Sequence, residues 1–342
     1  MEIYLFVVIA LVLLATTNLW VGVANDAVNF LGSAVGSKAA PFRTLLAVAA
    51  LGMLVGVTFS SGMMEVARKG IVNPEMFYFQ EIIIIFLAYA IGDLILLDLF
   101  NTFGLPTSTT VSLIFGLLGA GVAVSILKIL GTDGNLSNLY MYINTARVLT
   151  FASAIIVSIV LSFIAGSLIQ YISRIIFTFN YENTFRRWGA IWSAFAVTSI
   201  TYFLLMKGIK GASFITPEMI DWIGNNLWSI LGVCLVFWTI VFQLLITFTR
   251  VNILKGIVLA GTFSLAIAFA ANDLVNFVGA PFAGISAYVA ANSSPNPFEV
   301  TMTALTEPYR ANTLYLLIAG VIMVVVLYSS KKSKTVTKMS VS

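Results

Sequence analysis

No histidine occurs in the 342 residues, and Cys234 is the only cysteine. The first absence excludes His-based metal sites, Ser-His-Asp triads and imidazole proton switches. The second excludes an intrachain disulfide and a thiolate metal cluster. No GxxxxGK[ST] loop is present, which argues against an ATP motor within the chain. Charge is also scarce: Asp, Glu, Lys and Arg make up 9% of the residues, against roughly 25% in soluble domains. Hydrophobic residues account for 60%, and the mean hydropathy is +1.01. So little charge cannot cover a water-facing surface. The composition defines an all-α, polytopic integral membrane protein whose main partner is the lipid bilayer. The net charge of +4 is small, and no nucleic-acid partner is expected.

Apolar stretches long enough to cross roughly 30 Å of hydrocarbon lie near 3–22, 43–64, 81–100, 111–130, 147–171, 189–207, 226–249, 253–271 and 313–329. That predicts about nine transmembrane helices. The segment 81–130 reads either as two crossings around Gly104-Leu105-Pro106 or as one crossing and a re-entrant hairpin. The first run is too long for a signal peptide and is preceded by Glu2 rather than Lys or Arg, so it reads as a retained span. With nine crossings and the N-terminus outside, 11 basic residues face the cytoplasm and 7 face out. The positive-inside rule thus favours a cytoplasmic basic tail at 330–342.

A nine-residue string recurs. Ala24-Asn25-Asp26-Ala27-Val28-Asn29-Phe30-Leu31-Gly32 returns as Ala271-Asn272-Asp273-Leu274-Val275-Asn276-Phe277-Val278-Gly279, at an offset of 247 residues. Each copy ends a long apolar run. The first follows a span running inward, and the second follows one running outward. Opposed copies are the signature of inverted-topology repeats, which hold a substrate site between them near the midplane. The predicted organisation is a first repeat at 1–130, intervening helices at 131–249, the start of a second repeat at 250–329, and the tail.

An aspartate within an apolar span costs several kcal/mol when unpaired at depth. Two of them in equivalent positions imply a use. Asn25 and Asn29 share a helical face, and Asp26 lies about 100° away. Carboxylate and carboxamide oxygens are hard ligands suited to sodium or to a shared proton, and amide N–H groups can donate to an anion. An ordinary Asn/Asp cap explains one copy as well, but not two opposed copies. The second constellation is Gly104-Leu105-Pro106-Thr107-Ser108-Thr109-Thr110. Pro106 ends one helix, and four hydroxyls lead into the next. Free N–H groups at a helix start favour an anion, and four hydroxyls exceed what a cap requires.

Other polar residues carry weaker signals. Asp93 and Asp98 are five apart and so not on one helical face; each reads as pairing with an interfacial cation, or as lining a cavity in the ion path. Glu65, Glu81, Arg68 and Lys69 read as solvated, and Arg186-Arg187-Trp188 as an interfacial anchor.

Together the two Asn-Asp-x-x-Asn motifs, Gly32, Val35-Gly36-Ser37 and the Gly-Leu-Pro-x-Ser-Thr-Thr string resemble the inorganic phosphate transporter (PiT) family over 1–130 and about 250–329. The resemblance implies a secondary transporter of two inverted repeats that carries phosphate with Na+ or, second in order, H+. No other cofactor is implied, and a homo-oligomer is compatible with it. It implies substrate contacts from Asn25, Asp26, Asn29, Thr107, Ser108, Thr109, Thr110, Asn272, Asp273 and Asn276. The Na+ candidates are Asp26, Asp273, Asn25 and Asn272. The expected location is a bacterial inner (plasma) membrane. Val111 stands where the family usually has His, and Ala49–Met53 lacks the Glu or Asn frequent there, so both departures lean toward sodium. The second Ser-Thr-Thr hairpin is expected near position 354, beyond Ser342, so the second repeat reads as incomplete and the chain as part of a longer transporter. Competing readings are a sulfate or related oxyanion permease of the same fold, and a passive anion channel or structural subunit. An intramembrane enzyme is disfavoured because no nucleophile-base pair accompanies Asp93 and Asp98.

Overall fold

The computed structural model describes residues 1–58, 66–132, 134–177, 181–208, 216–249, 251–307 and 312–341. Among these, the chain is built from helices: α1 (Glu2–Gly36), α2 (Phe42–Val57), α3 (Phe79–Phe103), α4 (Thr109–Thr132), the single turn α5 (Leu139–Tyr142), α6 (Thr145–Phe177), α7 (Tyr181–Gly208), α8 (Pro217–Phe248), α9 (Ile253–Asn292), α10 (Thr313–Ser329) and α11 (Lys331–Val341). Seven are long and apolar enough to cross a membrane, or eight if the bent pair α10 and α11 is one span. The expected span at 43–64 is shorter as a helix, ending at Val57, and 59–65 lie outside the described residues. Glu65, named above, also lies outside them.

Three helices frame the interior. Inward-facing residues of α1 recur as Val8, Leu11, Ala15, Leu19, Val23, Ala27, Phe30 and Ala34, the three-to-four spacing of one helical face. Asn18, Asn25 and Asp26 are buried on this same helix, as expected where lipid makes the outside apolar and polar groups must find protein partners. Helix α3 runs parallel to α1. Tyr4 packs on Phe79 at 5.1 Å between ring centroids, the Asn18 amide donates to the Ala90 carbonyl at 3.0 Å, and Asn101 donates to the Val21 carbonyl at 2.7 Å. Helix α9 runs antiparallel to α1. Phe30 meets Phe269 at 5.1 Å, Gly22 faces the Phe277 ring, and Leu11 faces Gly284. The two motif copies therefore cross in opposite directions with Asp26 and Asp273 at the crossing.

Both motifs differ from expectation in one respect. They do not end their helices. Helix α1 continues through its copy for 35 residues and α9 for 40 residues, or about 52 and 60 Å at 1.5 Å per residue. The polar side chains gain partners from a neighbouring hairpin, so no break is needed to solvate them.

That hairpin is the 81–130 segment, and it forms two helices of 25 and 24 residues. Helix α3 ends on Gly104, left-handed at φ 70°. The Leu105 N–H bonds the Phe100 carbonyl at 2.9 Å, a glycine-terminated C-cap. Pro106 prevents continuation, and α4 starts at Thr109.

The solvated readings of three charged residues are corrected. Glu81 is paired with Lys128 at 2.7 Å and accepts the Tyr78 N–H, so it caps α3 rather than facing solvent. Arg68 is 4% exposed and donates to the Ala304 carbonyl at 3.0 Å, while Lys69 donates to the Thr306 carbonyl at 2.7 Å. Their charge is used on carbonyls more than 230 positions away in sequence. The basic segment after Ser330 is helical. It turns by 70° from α10 and lies on α1, burying Ser333, Val336 and Thr337.

Helices α7 and α8 pack mainly outside this core, and α6 touches it through Val148, Phe151 and Ile155. A small cluster of Ala190, Ala194, Phe242 and Ile253 joins α7, α8 and the start of α9, and α6 buries no residue.

Candidate functional site

The hairpin turn between α3 and α4 docks onto the crossing of α1 and α9. Asn25 makes the dock. Its side-chain amide donates to Asn101 Oδ1 at 2.8 Å and to the Leu105 carbonyl at 3.0 Å, and its Oδ1 accepts the Thr107 N–H at 2.7 Å. Asn25 is fully buried, and both amide donors and one lone pair of its carbonyl are used within the protein.

The first turn of α4 then reaches both motif copies. The Thr109 hydroxyl donates to Asp26 Oδ2 at 3.0 Å, and the Thr110 hydroxyl lies 3.4 Å from Asp273 Oδ1. Within each copy, the second asparagine steadies the aspartate three residues before it. Asn29 donates to Asp26 Oδ1 at 3.1 Å, and Asn276 to Asp273 Oδ1 at 3.2 Å. The Asn276 amide also lies 3.0 Å from the Thr110 hydroxyl. Ser108 does the capping: its Oγ accepts the Val111 N–H at 3.3 Å, so one hydroxyl of the four serves the helix start.

These groups enclose an open cavity of about 370 Å³, lined by Asp26, Asn29, Thr107, Ser108, Thr109, Thr110, Asp273 and Pro106. Its wall is polar and carries two carboxylates. The ion pairs shown by the described residues, Lys128–Glu81 and Lys332–Asp98, reach neither aspartate. Of the ten residues expected to bind substrate, the structure brings seven to the cavity wall. Asn276 backs it through its bonds to Thr109, Thr110 and Asp273. Asn25 positions the turn instead of facing the cavity, and Asn272 is half-buried outside the lining.

Sequence reasoning passed over two residues that matter here. Asn101 orients Asn25 from α3, and its signal was a lone carboxamide three residues before the glycine cap. Tyr89 donates its hydroxyl to the Asn276 carbonyl at 2.6 Å, tying α3 to the second motif. Of the two α3 acids, Asp98 pairs with Lys332 at 2.5 Å, the bland reading of that residue. Asp93 is buried and accepts the Ser112 hydroxyl.

Two opposed helices and a hairpin meet around hydroxyls and carboxylates inside a bundle of membrane-spanning length, an arrangement of the kind membrane transporters use. The match to known sequences gives the family: residues 22–336 fit the model of the phosphate transporter family, and the chain belongs to it. A Pyrococcus furiosus protein provisionally named a phosphate permease is 26% identical over 212 residues, 60% of this chain and 47% of that protein. A Thermococcus kodakarensis protein of the same provisional name is 25% identical over 291 residues, 78% of this chain and 64% of that one. A sodium-dependent phosphate transporter of Toxoplasma gondii is 37% identical over 103 residues, 29% of this chain and 12% of that protein. The fold matches a solved sodium-dependent phosphate transporter with a TM-score of 0.70 at 19% identity, over 96% of this chain and 76% of that one. The chain thus spans about half to two-thirds of the length of these archaeal relatives. Its family and structural neighbours are transporters, not enzymes.

Proposed function

We propose that this chain contributes the substrate site of a carrier that moves inorganic phosphate by symport with Na+. The observation that carries the reading is the cavity itself. Hydroxyl donors of one helix start bridge two carboxylates that have no basic partner among the described residues. The N-terminus of α4 and its hydroxyls suit a tetrahedral oxyanion. The carboxylates do not. At ~4 Å, two unit charges repel by about 4 kcal/mol at an effective dielectric of 20. Cations on Asp26 and Asp273 turn that repulsion into attraction. Phosphate and Na+ then strengthen each other's binding by the same factor, as linkage requires.

The antiparallel crossing of the two copies supports an inverted-repeat organisation, with 1–130 as one repeat and 250–329 as the start of the other. Rocking of the repeats about the crossing alternates access. The proposed orientation keeps the N-terminus outside and α11 cytoplasmic. For Na+, Asp26 and Asp273 remain the candidate ligands, and the Asn29 side-chain carbonyl replaces Asn25, whose oxygen is committed to Thr107.

The test is uptake of labelled phosphate into proteoliposomes with and without an inward sodium gradient. Uptake that rises with the gradient and is abolished in Asp26→Asn with Asp273→Asn supports the proposal. Equal rates with and without the gradient sink the sodium coupling, and normal uptake by the double variant sinks the site. Stronger competition by sulfate than by unlabelled phosphate overturns the substrate assignment.

A further inference from the structure

Behind the hairpin wall lies a second cavity, mostly apolar, with a cluster of polar groups that includes a carboxylate the proposed transport site does not use. It measures about 480 Å³ and runs between α3 and α4. Its polar lining comes from Tyr89, Asp93, Thr107, Ser108 and Ser112. Thr107 and Ser108 also line the first cavity, so one turn of chain separates the two.

Asp93 is the charged group here. It sits in the middle of α3, 4% exposed, with the Ser112 hydroxyl donating to one carboxylate oxygen. No ion pair of the described residues includes it. A carboxylate at this depth is costly to keep without a counter-charge. Two features hold the place open and fixed. One turn before Asp93, Tyr89 is bonded to the Asn276 carbonyl, which locks this stretch of α3 to the second motif. Gly92 faces the cavity, and a Cβ built there meets nothing within 4 Å.

We propose that Asp93, with the hydroxyl oxygens of Ser108 and Ser112, forms a second monovalent-cation site, for Na+, across the hairpin wall from the oxyanion cavity. The donor set is carboxylate and hydroxyl oxygen, hard ligands for a hard ion. One formal negative charge matches one monovalent cation. No group of three Asp, Glu, His or Cys side chains that could hold a metal ion occurs among the described residues, which argues against a divalent ion. A cation here places positive charge behind Thr107 and Ser108, on the far side of the wall that receives the oxyanion. The site's purpose rests on the carrier reading above; its existence does not.

Binding of 22Na+ to the purified whole chain, without phosphate, tests it. Asp93→Asn is expected to lower the saturating stoichiometry by one ion per chain. Gly92→Leu, which projects a side chain into the cavity beside the carboxylate, is expected to do the same. Asp26→Asn is expected to remove a different equivalent, so its combination with Asp93→Asn removes two. Unchanged stoichiometry and affinity in both Asp93→Asn and Gly92→Leu overturns the site. So does unchanged Na+ binding accompanied by a shifted pH profile of uptake, which identifies Asp93 as a proton acceptor. Phosphate uptake by the unaltered chain separates the two proposals. Without uptake but with an Asp93-dependent ion, the site stands and the carrier reading fails; with sodium-driven uptake and no such ion, only the site fails.

Discussion

Replacing Asn25 with alanine separates positioning from direct contact. The substitution removes three hydrogen bonds, to Asn101 Oδ1, the Leu105 carbonyl and the Thr107 N–H. A buried polar group left without a partner costs roughly 1–3 kcal/mol. The three are not equal. Asn101 is 3% exposed and its orphaned oxygen bears the full penalty, whereas Leu105 is 52% exposed and its carbonyl can turn to solvent. The expected loss is therefore about 2–4 kcal/mol, concentrated in the turn that aims Thr109 and Thr110. Asn101→Ala removes the same central bond from the other side, without altering any residue of the cavity wall. Thermal unfolding in detergent and phosphate binding at saturating Na+ should fall together in both variants, with phosphate affinity weakened at least tenfold. Because the pair shares one bond, the double variant should lose about 1 kcal/mol less than the sum of the singles. If Asn25→Ala weakens phosphate binding while Asn101→Ala changes neither quantity, Asn25 touches the ion and the positioning argument is wrong.

Other outcomes follow from single contacts. Thr109→Val keeps the side-chain shape but removes the donor to Asp26; hydrogen bonds to charged groups are worth about 1.5–3 kcal/mol, so the melting temperature of the ligand-free chain should fall and phosphate KM should rise. Gly52→Leu should lower the melting temperature at a cost of about 1–3 kcal/mol, because its side chain would enter the Phe263 carbonyl and Ala266 Cβ where α2 meets α9; an unaltered melting curve contradicts that packing. Lys332→Ala breaks a half-exposed ion pair and should change stability by less than about 1 kcal/mol, since α11 stays docked through Val336 and Thr337; its release, read as new proteolysis after Ser330, would show the ion pair to be the anchor.

The membrane class and most helices were legible because long apolar runs leave no alternative. The motif residues were legible because carboxylates at depth are rare, and their recurrence at a fixed offset stood out against the apolar background. What the sequence could not show depends on distant partners. Asn25 and Asn29 look equivalent on a helical face, yet one is saturated by a turn some 80 positions downstream and the other opens to the cavity. Asn101 gives no periodic signal, and its meaning comes only from Asn25. Arg68 and Glu81 read as solvated because loop charges usually are, while their partners, the Ala304 carbonyl and Lys128, lie on other elements. The continuation of α1 and α9 through their motifs was hidden for the same reason: a polar cluster marks a helix end unless another segment satisfies it.

Phosphate binding measured calorimetrically on the purified chain, in Na+ and in an equal concentration of choline, tests the central claim most directly. Two aspartates in the cavity without a basic partner require a cation before a dianion can enter. The account predicts an affinity at least tenfold tighter in Na+, with the enhancement lost in Asp26→Asn with Asp273→Asn. Equal affinity in the two media would contradict it.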